Sequence, residues 1–298
     1  MISTYQDALI PPLCTLVQPN NALRIKFEWF KYKLKRKWDY LLSFDESSWG
    51  LTKRALKKLN RTFDYSLLNW DKCFHVGIKN VPEWVMSPSE FDFPKQTPLS
   101  FQHHIGPTID LNRKEIQDPH FDNFIKTIAH KKIAYCSLGT ISVTHNKNGL
   151  SFLRKAAEVF SIKKDWALII SCGEIDINEL GFVAPNVHLF KRVPQLTVIQ
   201  MSEFVITHAG LNTVLECVLI GKPMLAFPLN DKWDQNGIAT RVVYHKIGLM
   251  GNINTITTAE LMSKVNELIT NQGFKENVSK MSVIFQKHSD NLENVINF

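Results

Sequence analysis

The residues best suited to chemistry lie between Asn186 and Met250. A predicted strand ends at His208, a turn passes through Gly210, and a predicted helix begins near Leu211 and carries Glu216. The first N–H groups of a helix have no intrahelical acceptor and the helix dipole makes that end positive, so the arrangement attracts phosphate. A carboxylate lower on the same helix can accept hydrogen bonds from ribose hydroxyls. The spacing therefore predicts a site for a nucleotide diphosphate.

Strands and helices that must hold this segment alternate regularly over the second half of the chain. Short apolar runs separated by amphipathic segments predict parallel β-α-β units, and the strands are apolar throughout because both faces of such a sheet are covered. The predicted strands are Lys132–Leu138, Trp166–Cys172, Asn186–Phe190, Phe204–Thr207 and Pro223–Pro228, and the predicted helices are Asn148–Phe160, Leu211–Ile220, Asp234–His245, Ala259–Thr270 and Lys275–His288. This order predicts an α/β, Rossmann-like domain.

The first half of the chain is less regular. Leu23–Trp38 and Ser47–Asn60 predict basic helices, and Tyr65–Leu68 and Lys72–Gly77 predict short strands. Apolar residues recur at helical spacing in Leu23–Trp38 between many lysines and arginines, which is typical of an amphipathic helix. We favour a helix packed on a sheet with a solvated cationic face, and contact with a membrane surface is the alternative. The segment from Val81 to Pro98, rich in proline and aromatic residues, predicts a loop.

Composition narrows the class of protein. The chain has 298 residues, of which 44% are hydrophobic, and carries a formal net charge of +7. This charge attracts anions, but a nucleotide sugar, an anionic membrane and nucleic acid would each satisfy it, and nothing else favours nucleic acid. The five cysteines are scattered without a C-x-x-C pair, so we expect neither a disulfide framework nor a zinc site. With neither a signal peptide at Met1–Ala8 nor an apolar run long enough to span a bilayer, we expect a cytoplasmic protein.

Several motifs in the second half together resemble a known family. They are Arg192-Val193-Pro194-Gln195, His208-Ala209-Gly210-Leu211-Asn212-Thr213, Glu216 and Asp234-Gln235. This ordered run resembles the donor-binding signature of UDP-dependent glycosyltransferases with the GT-B fold, especially the bacterial macrolide-glycosyltransferase type. The resemblance implies an α/β, GT-B type fold, with a complete C-terminal Rossmann-like domain preceded by a partial N-terminal one. We expect an acceptor-side domain at 1–112, a linker at 113–130 and a UDP-sugar-binding domain at 131–298.

The resemblance assigns the diphosphate to the strand–turn–helix. His208 contacts it in the family, with Gly210, Asn212 and Thr213 bringing further donors. Ser137-Leu138-Gly139-Thr140 resembles a loop that approaches the same group, so that Gly139 and Thr140 are also expected there. Read without the family, His208 is more often a structural residue at a strand end. Ala209 replaces a common glycine, and its small size makes this departure minor.

The remaining motifs are implied to hold the nucleoside and the sugar. Glu216 would hold the ribose, and its alternative is a solvated helix carboxylate. Arg192, Val193 and Gln195 belong to the segment resembling the uracil platform, where the Arg192 guanidinium would replace a stacking tryptophan; the alternative is a basic loop. Asp234 and Gln235 match the pair that binds hydroxyls of the donor sugar, although an aspartate beginning a helix often only caps it.

The catalytic base remains unassigned from the sequence. The family opens with a strand, a glycine-histidine turn and a helix, and its base is the histidine of that turn. This chain has no such segment, because Ala8–Leu13 already resembles the middle of that domain. We therefore expect about a hundred family residues to be missing. His75, His103 and His104 have no supporting pattern, and no D-x-D metal motif occurs, so we expect neither a metal nor a cofactor beyond the UDP-sugar donor.

The resemblance implies inverting transfer of a hexose from a UDP-sugar to an acceptor hydroxyl, with the aromatic, basic first half favouring a small lipophilic acceptor. One alternative is a non-catalytic UDP-sugar-binding module or remnant that needs another chain for the base. A second is a UDP-sugar epimerase of similar fold, but no residue marks the carboxylates and histidine that it would require.

Overall fold

A computed structural model of the chain describes residues 54–62, 64–69, 77–93, 101–115, 118–139, 147–181, 183–229 and 234–290, and the isolated positions 27, 30, 31, 34 and 38. The chain divides into two compact units, Met1–Ile105 and Gly106–Phe298. The division falls before residue 112, where the sequence predicted the end of the first domain. Among the described residues, each unit has its own paired strands.

A parallel sheet forms the centre of the second unit. Its strands are β5 (Lys132–Ser137), β6 (Trp166–Ser171), β7 (Val187–Phe190), β8 (Phe204–Thr207), β9 (Met224–Ala226) and β10 (Gly248–Met250). Among the described residues, these six lie in the order β10-β9-β8-β5-β6-β7. Every residue of β8 and of β9 is buried, which requires both faces of the sheet to be covered. The predicted α/β fold is confirmed.

Helices alternate with these strands. They are α1 (Pro119–Ile128), α2 (Lys147–Ser161), α3 (Gln195–Met201), α4 (Leu211–Ile220), α5 (Gln235–Tyr244), α6 (Thr258–Thr270) and α7 (Gln272–Asp290). The five predicted helices are all present, and α4 has the predicted bounds. The seven-residue helix α3 and the three-residue strand β10 were not predicted, because both are too short for a clear hydrophobic period.

The strand order creates a crevice at one point of the sheet. From β5 the chain adds β6 and β7 on one side, and it then returns to the other side to add β8, β9 and β10. The strands β5 and β8 are therefore neighbours whose following segments run in opposite directions, with Ser137 opposite Thr207 in the last pair. Ligands of open α/β sheets bind at such a switch point, outside the carboxyl ends of the strands. The segments around Gly139 and His208 both leave the sheet there.

The structure differs from the predicted linker over part of residues 113–130. Ten of these residues form α1, in which the Asp118 side chain accepts a hydrogen bond from the His120 N–H at 2.9 Å. The rings of Phe121 and Phe124 pack against Phe190 of β7, with centroids 5.2 and 5.0 Å away. An aspartate followed by proline is a helix-start signal, and it outweighs the loop-like composition on either side.

Among the described residues of the first unit, two pairs of strands are formed. The strand β1 (Leu68–Asn69) is antiparallel to β2 (Gly77–Ile78), and β3 (Glu83–Val85) is parallel to β4 (Gln102–His104). The strand β3 lies in the segment predicted as a loop. Residues 54–58 and the five isolated positions are helical, as predicted, whereas the predicted strand at 72–77 lies mostly outside the described residues. Within the described part of the chain, none of the helices has both the length and the apolar character needed to cross a bilayer.

A buried asparagine joins three elements at the amino ends of the strands, the end of the sheet opposite the crevice. The Asn186 side chain is 3% exposed, and its amide nitrogen lies 2.8, 3.1 and 3.0 Å from the carbonyl oxygens of Phe160, Lys163 and Trp166. These carbonyls belong to the end of α2, the following turn and the start of β6. One side chain therefore ties the start of β7 to the end of α2 and to the start of β6.

We expect Asn186→Ala to lower the free energy of unfolding by about 2 kcal/mol, because three carbonyls lose a buried donor. Urea titrations followed by circular dichroism measure this difference. The control is Asn123→Ala on the exposed face of α1, which should change stability by less than about 0.5 kcal/mol. Equal effects of the two substitutions would contradict the role of Asn186.

Candidate functional site

The imidazole of His208 lies between two glycines at the carboxyl ends of β5 and β8. A Cβ atom added to Gly139 would lie 2.7 Å from the ring Cε1 atom, and one added to Gly210 would lie 2.5 Å from Nε2. Real Cβ atoms do not approach other heavy atoms so closely. Gly139 also has a φ angle of +81°, which other residues adopt at a cost. The glycines of the two predicted motifs are therefore there to accommodate this ring.

His208 is neutral at physiological pH. Burial lowers the pKa of its imidazole from 6.5 to about 4, and a smaller effect of a hydrogen bond to the Ser137 backbone raises it. The Nδ1 atom is buried and has no hydrogen-bond partner among the described residues. A neutral ring presents one N–H donor and one acceptor nitrogen, so His208 can donate to a phosphate oxygen without adding a positive charge.

The start of α4 lies beside this ring. Its N-cap is Gly210, which brings no capping side chain to the first turn. The N–H groups of Leu211, Asn212 and Thr213 are therefore available to a ligand, and the Asn212 side chain is exposed beside them. Together with the His208 ring, this forms a concentration of donors suited to an anion.

Glu216 lies further along α4, and its side chain is only 2% exposed. Its Oε2 atom accepts a hydrogen bond from Nε2 of Gln195, the first residue of α3, at 2.6 Å. Its Oε1 atom lies 2.7 Å from Nη1 of Arg113. The structure thus brings together Gln195 and Glu216, which were predicted for the nucleoside end of the site.

The segment Arg113–Glu115, here called the strap, was not predicted to take part. Besides the Arg113–Glu216 ion pair, Glu115 accepts hydrogen bonds from the backbone N–H groups of Leu196 and Thr197 at 2.8 and 3.0 Å, and so caps α3. The Thr197 hydroxyl lies 3.1 Å from the same carboxylate. No local pattern marks either residue, because each acts on elements about eighty to a hundred residues later in the chain.

The remaining predicted residues have other partners. The Arg192 side chain is 66% exposed and lies 3.4 Å from the Glu174 carboxylate, and Val193 is half-buried. Gln235, 5% exposed, accepts a hydrogen bond from the Leu229 N–H at 2.8 Å, and therefore ties the start of α5 to Leu229. Asp234 is the N-cap of α5, but its side chain does not make the capping hydrogen bond. Thr140 lies outside the described residues.

The backbone at Ala209 corrects one expectation. Ala209 has a φ angle of +62° and is fully buried, and its N–H lies 3.2 Å from the Thr207 hydroxyl. The size of the side chain is therefore not the property that matters at this position. A left-handed backbone strains alanine and not glycine, so replacing the common glycine has a cost.

With this geometry in place, comparison with known proteins identifies the family. The family model described as "UDP-glucoronosyl and UDP-glucosyl transferase" matches residues 39–292. The chain belongs to this family of UDP-glycosyltransferases. The resemblance seen in the motifs is thereby confirmed.

Individual relatives are more distant. The chain is 28% identical over 194 residues to zeaxanthin glucosyltransferase of Pantoea ananas, a match covering 64% of this chain and 42% of that protein. UDP-glucuronosyltransferase 3A1 of Homo sapiens is 26% identical over 212 residues, with 70% of this chain and 39% of that protein covered. The chain thus spans less than half the length of these relatives.

Solved structures of glycosyltransferases are similar to this chain in fold. The glycosyltransferase of kitacinnamycin superposes with a TM-score of 0.59 at 26% identity, covering 72% of this chain and 54% of that one. The calicheamicin glycosyltransferase CalG4 gives a TM-score of 0.60 at 20% identity, covering 83% and 59%. The second likeness bears on the fold alone.

We expect Ala209→Gly to raise the free energy of unfolding by about 0.5–1 kcal/mol, since relief of the left-handed strain exceeds the entropy that glycine gains in the unfolded chain. The matched control is Ala259→Gly, on the exposed face of α6, which should lower stability by about 0.5 kcal/mol. Urea unfolding of both variants measures the difference. A loss of stability in Ala209→Gly would contradict the claim that the left-handed backbone strains Ala209.

Acid should destabilise the protein through His208. Its pKa is about 4 in the folded protein and near 6.5 when unfolded. Between these two pKa values the unfolded chain binds more protons than the folded protein. The contribution of the neutral His208 ring to the free energy of unfolding is therefore complete above pH 6.5 and is lost as the pH falls towards 4, and it amounts to at most about 3 kcal/mol. Urea unfolding at pH 7 and pH 4.5 should show a smaller decrease for His208→Asn than for the wild type. The exposed control His130→Asn should retain the full decrease, and an unchanged decrease in His208→Asn would refute the assignment.

Proposed function

We propose that the second unit binds the UDP moiety of a UDP-sugar, and that the protein transfers the hexose with inversion to a hydroxyl group of a small lipophilic molecule. The observation that carries the donor part is the glycine-enclosed His208 ring beside the uncapped start of α4. Family membership favours UDP-sugar over other anions with a diphosphate group.

The dimensions of α4 suit a nucleoside diphosphate. Glu216 follows Leu211 by five residues, which at 1.5 Å per residue puts it about 8 Å along the helix axis. The diphosphate would lie at the N-terminus of α4, where it receives the N–H groups of the first turn and the His208 donor. The ribose would lie beside Glu216, whose carboxylate accepts hydrogen bonds from its hydroxyls. Negative phosphate and negative carboxylate are thereby separated along one helix.

The base and the sugar would extend from these two points. We propose that uracil lies against Val193 and the Arg192 guanidinium, which is exposed and therefore accessible for stacking. The donor sugar would lie towards Asp234 and Gln235 at the start of α5. The departing UDP would be stabilised by the donors at α4, since negative charge develops on its terminal phosphate during transfer. This requires no bound metal.

Exposed apolar side chains in the first unit support an apolar acceptor. Phe27, Phe30, Leu34 and Trp38 share helical spacing, and each is 58–64% exposed. The segment Leu23–Trp38 also carries seven basic residues. Such a helix binds anionic lipid surfaces through its apolar face and its cations together. We propose that this segment contacts a membrane surface from the cytoplasmic side, where a lipophilic acceptor would be concentrated.

Calorimetric titration with UDP and with uridine tests the donor site. We expect His208→Asn to weaken UDP binding about tenfold and to leave uridine binding unchanged, because only UDP carries phosphate. We expect Glu216→Gln to weaken both ligands about tenfold, because both carry ribose hydroxyls.

The control for this experiment is His130→Asn, in the exposed turn after α1, which should bind both ligands as the wild type does. A folded wild-type protein that binds no UDP would sink the donor assignment. If His208→Asn weakens uridine as much as UDP, the histidine does not contact the phosphates. Binding without transfer to any hydroxyl would favour the non-catalytic UDP-sugar-binding module.

A further inference from the structure

The ribose carboxylate is covered in this structure. The Glu216 side chain is 2% exposed, and each of its oxygens already has a partner, Arg113 on Oε1 and Gln195 on Oε2. A ribose hydroxyl can reach a carboxylate only if one of the groups covering it moves away. Nucleotide binding therefore requires a rearrangement at Glu216, and the two partners differ in their ability to move.

Arg113 is the partner better able to leave. Gln195 is the first residue of α3, a helix whose N-terminal turn is held by Glu115. Arg113 lies in irregular backbone, and its side chain is 37% exposed, so solvent already reaches it. A long arginine side chain has many rotamers available once its ion pair is broken.

The strap also provides a second partner for the guanidinium. Nη2 of Arg113 lies 3.9 Å from Oε1 of Glu115, at the outer limit of an ion pair. Glu115 is itself held in place by the backbone N–H groups of Leu196 and Thr197. When Arg113 leaves Glu216, it can therefore approach a fixed carboxylate a short distance away. This lowers the cost of uncovering Glu216.

We propose that Arg113 is a latch on the ribose carboxylate: it pairs with Glu216 and must yield this position to the ribose of an incoming nucleotide. The inference rests on the proposed function, since it takes Glu216 as the ribose-binding residue. The latch keeps a buried carboxylate paired when no nucleotide is present, because an unpaired buried charge is costly. It also makes the affinity for the nucleoside part lower than the open site would allow.

The latch and simple electrostatics predict opposite effects of removing Arg113. If the guanidinium only attracts the anionic ligand, its removal weakens binding. If it competes with the ribose, its removal strengthens the binding of UDP. Pyrophosphate also distinguishes the latch from a purely electrostatic role of Arg113, because it can occupy the start of α4 without uncovering Glu216.

The experiment is calorimetric titration of UDP and of inorganic pyrophosphate into the wild type, Arg113→Ala and Lys114→Ala. Lys114 is the exposed neighbour in the strap, so its removal costs the same charge without touching Glu216. We expect Arg113→Ala to bind UDP about tenfold more tightly than the wild type, the factor of one charge-assisted hydrogen bond. Pyrophosphate should bind Arg113→Ala and Lys114→Ala equally well. Arg113→Gln replaces the alanine variant if thermal unfolding shows that variant to be unfolded; its neutral amide pairs with Glu216 more weakly than the guanidinium, so it should also bind UDP more tightly than the wild type, by a smaller factor.

The outcomes are distinct. Tighter UDP binding confined to Arg113→Ala supports the latch. Unchanged or weaker UDP binding in that variant, with the wild type binding UDP, overturns the latch and leaves the proposed function intact. Equal gains for UDP and pyrophosphate also overturn it, because the effect then does not depend on the ribose. If neither the wild type nor the variants bind UDP, the proposed function fails and the latch fails with it.

Discussion

The parallel pairing of β5 with β8 is the constraint on which the rest of the site depends. This pairing puts Ser137 opposite Thr207, so that the segments after the two strands leave the sheet side by side. Only then can Gly139 from one segment and Gly210 from the other enclose the His208 ring. The chain reaches the second strand after adding β6 and β7 on the far side, which is why residues about seventy positions apart meet.

Burial has different consequences for His208, at the start of α4, and for Glu216, further along the helix. At the start of the helix, burial keeps the His208 ring neutral, so that the attraction for phosphate comes from N–H groups and not from a full charge. Further along the helix, the Glu216 side chain is only 2% exposed and has an arginine and an amide as partners. A buried charge is stable only with such partners, and a ligand that uses the charge must replace one of them.

Local signals predicted much of the second unit. The bounds of α4 follow from glycines at both of its ends, and the strands are recognisable because their central residues are apolar. What the sequence did not reveal depends on three-dimensional context. Arg113 and Glu115 act across distant parts of the chain from an irregular segment, and the importance of Ala209 is in its backbone angle and not in its size. Side-chain volume can be read from a sequence, but a left-handed φ angle cannot.

The most direct test of the account is a crystal structure of the chain with UDP bound. We expect the terminal phosphate within hydrogen-bond distance of the His208 ring and the first N–H groups of α4, and the ribose hydroxyls on the Glu216 carboxylate. A nucleotide bound elsewhere, or one bound in the opposite direction with uracil at His208, would contradict the account.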